Sequence, residues 1–154
     1  MKSATPLTIL LALTALCCGA PQEGTRTDRP GLPYAVITGS GGGFTGLREG
    51  YVIDSLGDVS RWRGVVFDRS ERTFVGTLSE AECRDLADFV ATSGVLDTSC
   101  RGSGNISSFV ALRSASLSRE YSWPGVEPGQ DVPEAVRKLH GHVARLIRSI
   151  ATSH

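Results

Sequence analysis

Residues 107–150, SSFVALRSASLSREYSWPGVEPGQDVPEAVRKLHGHVARLIRSI, place both kinds of regular structure in one run. The first part alternates: Ser107 to Arg113 and Leu117 to Trp123 flank Ser114-Ala115-Ser116, and in the second arm Leu117, Arg119, Tyr121 and Trp123 share one face. That period of two is a β-hairpin. Pro124-Gly125-Val126-Glu127-Pro128-Gly129 then breaks all regular structure, and Asp131, Pro133 and Glu134 restart the chain with helix-opening chemistry. Val132, Val136, Leu139, Val143, Leu146 and Ile150 run along one side of that helix. Arg137, Lys138, His142, Arg145 and Arg148 occupy the other. An amphipathic helix beside a hairpin needs a shared core, which makes the class α+β.

Upstream, Leu78-Ser79-Glu80-Ala81-Glu82-Cys83 opens another helix: Ser79 is the N-cap, Glu82 closes a capping box, and Leu78 can staple against Cys83. Cys83, Leu86, Ala87 and Val90 recur at helical spacing, and Gly94 supplies the stop. Tyr51 to Asp54 and Val59 to Phe67 flank Ser55-Leu56-Gly57-Asp58 and read as an earlier hairpin. Before it, Tyr34 to Thr38 is a short strand expected to end at Gly39-Ser40-Gly41-Gly42-Gly43. The order is β-β-β-α-β-β-α, a single domain with an antiparallel sheet of about five strands and both helices on one face.

The 154 residues suffice for one domain plus a tail. Sixteen basic and sixteen acidic side chains balance, which argues against a nucleic-acid partner. Lys2 and the uncharged run Leu7 to Leu16 read as a secretory signal over residues 1–18, about half the length a membrane-spanning helix needs. Cys17-Cys18-Gly19-Ala20 follows, and Cys18, with a small residue before it and glycine after it, is the better candidate for lipid attachment. An ordinary cut after Ala20 would place Pro21 directly behind it. Either route exports the chain, to the periplasmic face of a bacterial membrane through a lipid anchor or as a secreted protein. Residues 19–33 are rich in proline, glycine, threonine and charge and read as a flexible linker, so the domain is expected over residues 34–152.

In an oxidising compartment Cys83 and Cys100 are expected to pair as a disulfide, worth about 3 kcal/mol for so short a loop. The competing reading leaves Cys83 as a buried thiol on the inner face of its helix.

Chemistry-bearing motifs are sparse. Gly41-Gly42-Gly43-Phe44-Thr45-Gly46 matches GxGxxG, but a strand rather than a helix follows it, so no nucleotide site is read here. His140 and His142 stand two apart on a helix and point in different directions, so no metal site is expected. Ser40 and Ser103 lack the wider nucleophile-elbow spacing, and the carboxylates stand singly at turns and helix starts. No catalytic residue, cofactor or small-molecule substrate is therefore assigned, and the chain reads as a non-enzyme.

The remaining feature is the glycine loop Ser40, Gly41, Gly42, Gly43, Phe44, Thr45, Gly46. One reading is a wide turn with Phe44 folded onto the core. The other lets the glycines admit a partner's backbone closely while Phe44 anchors in its pocket.

This loop, the strand Tyr51-Val52-Ile53-Asp54 behind it, the capped helix from Ser79, the Phe109-Val110-Ala111-Leu112 strand, the approach to Trp123-Pro124-Gly125 and the closing helix after Val132-Pro133 together resemble the emfourin family. Emfourins are small proteinaceous inhibitors of thermolysin-like metallopeptidases. The resemblance spans Tyr34 to Ile150 and implies a partner peptidase whose cleft is occluded without covalent chemistry, with Ser40 to Gly46 as the candidate protein-binding loop. The signal segment, the Cys83/Cys100 pair and a glycine run longer by one residue depart from that family. The rival reading from the residues is an envelope structural or protein-binding lipoprotein with no peptidase target.

Overall fold

The computed structural model describes residues 31–152, so the signal segment, Cys18 and most of the expected linker lie outside the described residues. Six strands form one antiparallel sheet: β1 (Ala35–Gly42), β2 (Arg48–Ile53), β3 (Asp58–Gly64), β4 (Glu71–Thr77), β5 (Ile106–Arg113) and β6 (Ser118–Pro124), with helices α1 (Glu80–Thr92) and α2 (Glu134–Ala151). The spatial order is β4-β3-β2-β1-β5-β6, so the first strand sits in the middle.

Strand alternation divides the sheet into two faces. Val36, Ile53, Val59, Val110, Leu112, Tyr121 and Trp123 point to the helices and are buried with Leu86, Val90, Val136, Leu139, Val143 and Leu146 in one core. Tyr121 donates from its hydroxyl to Val95 O at 2.7 Å, tying β6 to the turn after α1. Both helices lie on that face, as the sequence predicts. The capping box of α1 also forms: Ser79 Oγ accepts from Glu82 N, and Glu82 Oε2 accepts from Ser79 N at 2.8 Å.

Four expectations are corrected. The sheet has six strands rather than about five, the added one being β4: as a sheet edge it buries only Gly76 and half-buries Val75 and Thr77, so its residues carry too little alternation to mark a strand. The first strand does not stop at the glycines but continues through Gly42, because aromatic side chains from neighbouring strands fill the space the glycines leave. Gly39 pairs with Gly50 on one side and Phe109 on the other, and Gly50 pairs with Trp62. A Cβ on Gly39 would lie 2.5 Å from the Trp62 ring and 2.8 Å from the Phe109 ring. Trp62 Nε1 donates to Thr38 O at 2.8 Å across the bare backbone.

The domain also starts earlier than residue 34. Leu32 is 4% exposed in the core, and its N–H donates to Ser55 O at 2.8 Å. Finally, Cys83 and Cys100 are not joined. Cys83 packs beneath the β2–β3 turn, where a Cβ on Gly57 would lie 2.6 Å from its sulfur, while Cys100 donates to Ser122 O on the β6 edge at 3.3 Å. The two thiols serve different parts of the fold.

Candidate functional site

The glycine loop closes the β1–β2 hairpin, and both neighbouring strands hold it. Gly42 N donates to Leu47 O at 3.1 Å, and Gly43 N donates to Asn105 O at 2.8 Å. Gly41 and Gly42 have φ of 150° and 135°, and a Cβ there would lie 2.3 Å from Leu47 O or 2.5 Å from Asn105 O. Glycine is required because the backbones flank the loop too closely for any side chain. Gly43–Thr45 makes a single 3-10 turn ending at left-handed Gly46.

Phe44 stands at the tip, fully exposed. Of the two readings of the loop, the one that folds Phe44 onto the core is therefore wrong. The seven loop residues do not act as one patch, however. Ser40 belongs to β1, opposite Glu49 and Ser108, and lines a pocket of about 350 Å³ between the sheet and α2. Phe44 with its flanking glycines projects beyond the sheet.

Antiparallel registers bring further apolar side chains to the same end. Gly42 opposes Ile106, Arg48 opposes Gly64 just before Val65, and Ser107 opposes Pro124 two residues before Val126. Val65, Val66, Ile106 and Val126 are all exposed, and Gly46 lies beside the Val65 side chain. An exposed aromatic with exposed aliphatics at the same end of the sheet is the composition of a binding surface rather than of a solvated loop. Nothing in the residue pattern of 65, 66, 106 and 126 marks them individually; only strand order assembles them.

The pocket beside α2 collects polar groups. Arg61 and Glu49 pair at 2.7 Å at its mouth, exposed to solvent and so worth little to stability. His140 stands edge-on to Trp123 at 5.2 Å, with Nδ1 3.7 Å from Glu127. Burial pushes its pKa down, and Glu127 opposes that shift. Ser108 is buried and donates to Gly125 O at 2.7 Å.

His142, read from the sequence as part of the solvated basic face, is instead wedged between the helices with 11% of its side chain exposed. It stacks on Phe89 at 4.9 Å, and its Nε2 lies 3.3 Å from Asp85. Burial lowers its pKa, Asp85 raises it and Arg145 lowers it again. The two histidines diverge as their spacing predicts, and no cluster of metal-ligating side chains occurs among the described residues.

The sequence matches no model of a known protein family and no curated protein.

Proposed function

We propose that the protein is an exported binding protein that acts as a non-covalent inhibitor of thermolysin-like metallopeptidases, as its resemblance to emfourins implies. The observation that supports this reading is Phe44, fully exposed on a hairpin tip whose backbone is pinned to β2 and β5. A pinned tip loses little conformational entropy on docking, so the interaction of its anchor is not spent on ordering the loop. In this mechanism the Phe44 ring enters the peptidase cleft while Val65, Ile106 and Val126 exclude water around it. An inhibitor interface buries about 1,600 Å² in total, within reach of one end of a domain this size. Lipid attachment at Cys18 would hold the inhibitor at a membrane surface.

Titration of the purified chain into a thermolysin-like peptidase assay tests the reading. Stoichiometric inhibition, weakened about a hundredfold by Phe44→Ala as for an interface hot spot, is the expected result. Inhibition untouched by that substitution removes the hairpin from the interface. Absence of inhibition by the folded protein against several such enzymes overturns the peptidase target and leaves the envelope-binding lipoprotein.

A further inference from the structure

The sheet face opposite the helices is not flat. The β3–β4 connection folds back over it, and with β5 and β6 it walls a groove of about 670 Å³. The floor is Ile37, Val52 and Ala111, and the walls include Phe67, Trp62 and Phe109. Phe67 meets Trp62 edge-on at 5.3 Å, and Phe109 is tilted against it at 6.1 Å. Arg48 and Asp54, at the two ends of β2, both line the groove, so it runs roughly 20 Å at the usual strand rise.

We propose that this groove is a binding site for an amphipathic carboxylate: a monomeric, long-chain hydrocarbon with one anionic head. The proposal does not rest on the peptidase reading: its ligand is of a different class and its floor is a different surface, with only Val65 on the lip shared between the two. Two features of the groove choose the ligand.

The first is the lack of hydrogen-bonding capacity along its floor and aromatic walls. Ile37, Val52, Ala111, Phe67 and Phe109 offer none, and the indole N–H of Trp62 is already committed to Thr38 O. A peptide or sugar laid here would lose hydration from its amides or hydroxyls without replacement, at a cost that hydrocarbon does not incur.

The second is an unbalanced charge. Glu120 is neutralised by Arg113 at 2.9 Å, and Asp54, which accepts from Leu56 N and Asp58 N, lies at the far end of the groove from Arg48, just past the last residue of β2. Arg48 and Arg72 have no carboxylate partner among the described residues. Their guanidinium groups lie instead over aromatic rings, Arg72 at 4.4 Å from the Phe67 centroid and Arg48 at 6.0 Å from that of Phe109. Guanidinium held by ring faces keeps its outward N–H groups available, and a carboxylate is the planar partner that matches them. An apolar trough with two arginines that carry no ion pair among the described residues therefore takes a single-headed anion, with the head at the Arg48/Arg72 half and the chain running along the floor. Val65 and Val66, now exposed on the lip, would cover it.

Sodium dodecanoate below its aggregation concentration is the probe, followed by two-dimensional amide NMR of the purified chain. One-to-one saturation is expected, with shifts concentrated at the Trp62 indole N–H and the Val52 and Ala111 amides. The double substitution Arg48→Gln, Arg72→Gln, at sites where fold loss is checked by circular dichroism, should weaken binding about tenfold. Dodecyltrimethylammonium, with the same chain and the opposite head, should bind at least as much more weakly. The proposal is overturned if the two amphiphiles bind alike, if the double variant binds dodecanoate unchanged, or if the shifts fall on the α2 pocket or the hairpin tip. Sedimentation that shows a dimer closed over this face would overturn it as well, by giving the groove to a second copy.

Discussion

Substituting glycine by alanine at positions 39 and 141 should change stability in opposite directions, although the chemical change is the same. At Gly39 the new methyl group would stand 2.5 Å from the Trp62 ring and 2.8 Å from that of Phe109. Both rings must shift, and the indole must give up its 2.8 Å hydrogen bond to Thr38 O. Overpacking of this kind costs about 1–3 kcal/mol, and the lost, partly buried hydrogen bond about 1 kcal/mol. The entropy that alanine saves in the unfolded chain returns about 0.5–1 kcal/mol, so Gly39→Ala should destabilise by about 2–3 kcal/mol. Gly141 lies exposed inside α2, and an added Cβ there meets nothing within 4 Å. Its replacement should stabilise by about 1 kcal/mol through helix propensity alone. Urea unfolding checks both at once, with midpoints separated by more than 1 M for a typical slope of about 1–3 kcal/mol/M. A Gly39→Ala protein as stable as the parent, with the Trp62 indole resonance unmoved, would refute the argument that β1 survives its glycines because Trp62 and Phe109 fill the space above them.

Ser79→Ala removes one half of the capping box and should cost about 1 kcal/mol, read as a lower urea midpoint with an unchanged slope. Because Cys83 and Cys100 are not bridged, the thermal midpoint should be the same with and without reductant, whereas loss of a bridge worth about 3 kcal/mol would lower it by many degrees. His140 and His142 both have lowered pKa values in the folded state, so the unfolded chain takes up protons first as pH falls. Their neutral forms thus support the fold fully above about pH 6.5, and stability should decline as pH falls below that value and on through the lowered folded-state pKa values. In His142→Gln that slope should be shallower; an identical slope would mean that Asp85 and Arg145 leave His142 free to ionise in place.

What the sequence made legible, and what it did not, follows from the range over which each signal acts. The capping box at Ser79, the alternation of Phe109 to Arg113 and the apolar stripe of α2 are set by residues within a turn or two of one another, and each forms where it was read. Export and lipid attachment rest on Cys18 and its neighbours, outside the described residues. The misread segments all depend on partners distant in sequence. Gly39 to Gly42 looks like a breaker until Trp62, twenty-three residues past Gly39, lies over it, and β4 looks like a loop until β3 pairs with it. His142 looks solvated until α1 supplies Phe89 and Asp85. Functional surfaces suffer most, since Phe44 could be singled out by its glycines but Val65, Ile106 and Val126 join it only through the strand order. The same holds for the groove: Arg48, Gly50 and Val52 alternate on β2, yet alternation alone does not say which face the helices leave bare. Here that depends on α1 and α2 packing on the same side, which leaves Arg48 and Arg72 above an apolar floor, with Glu120 paired to Arg113 and Asp54 at the far end from Arg48.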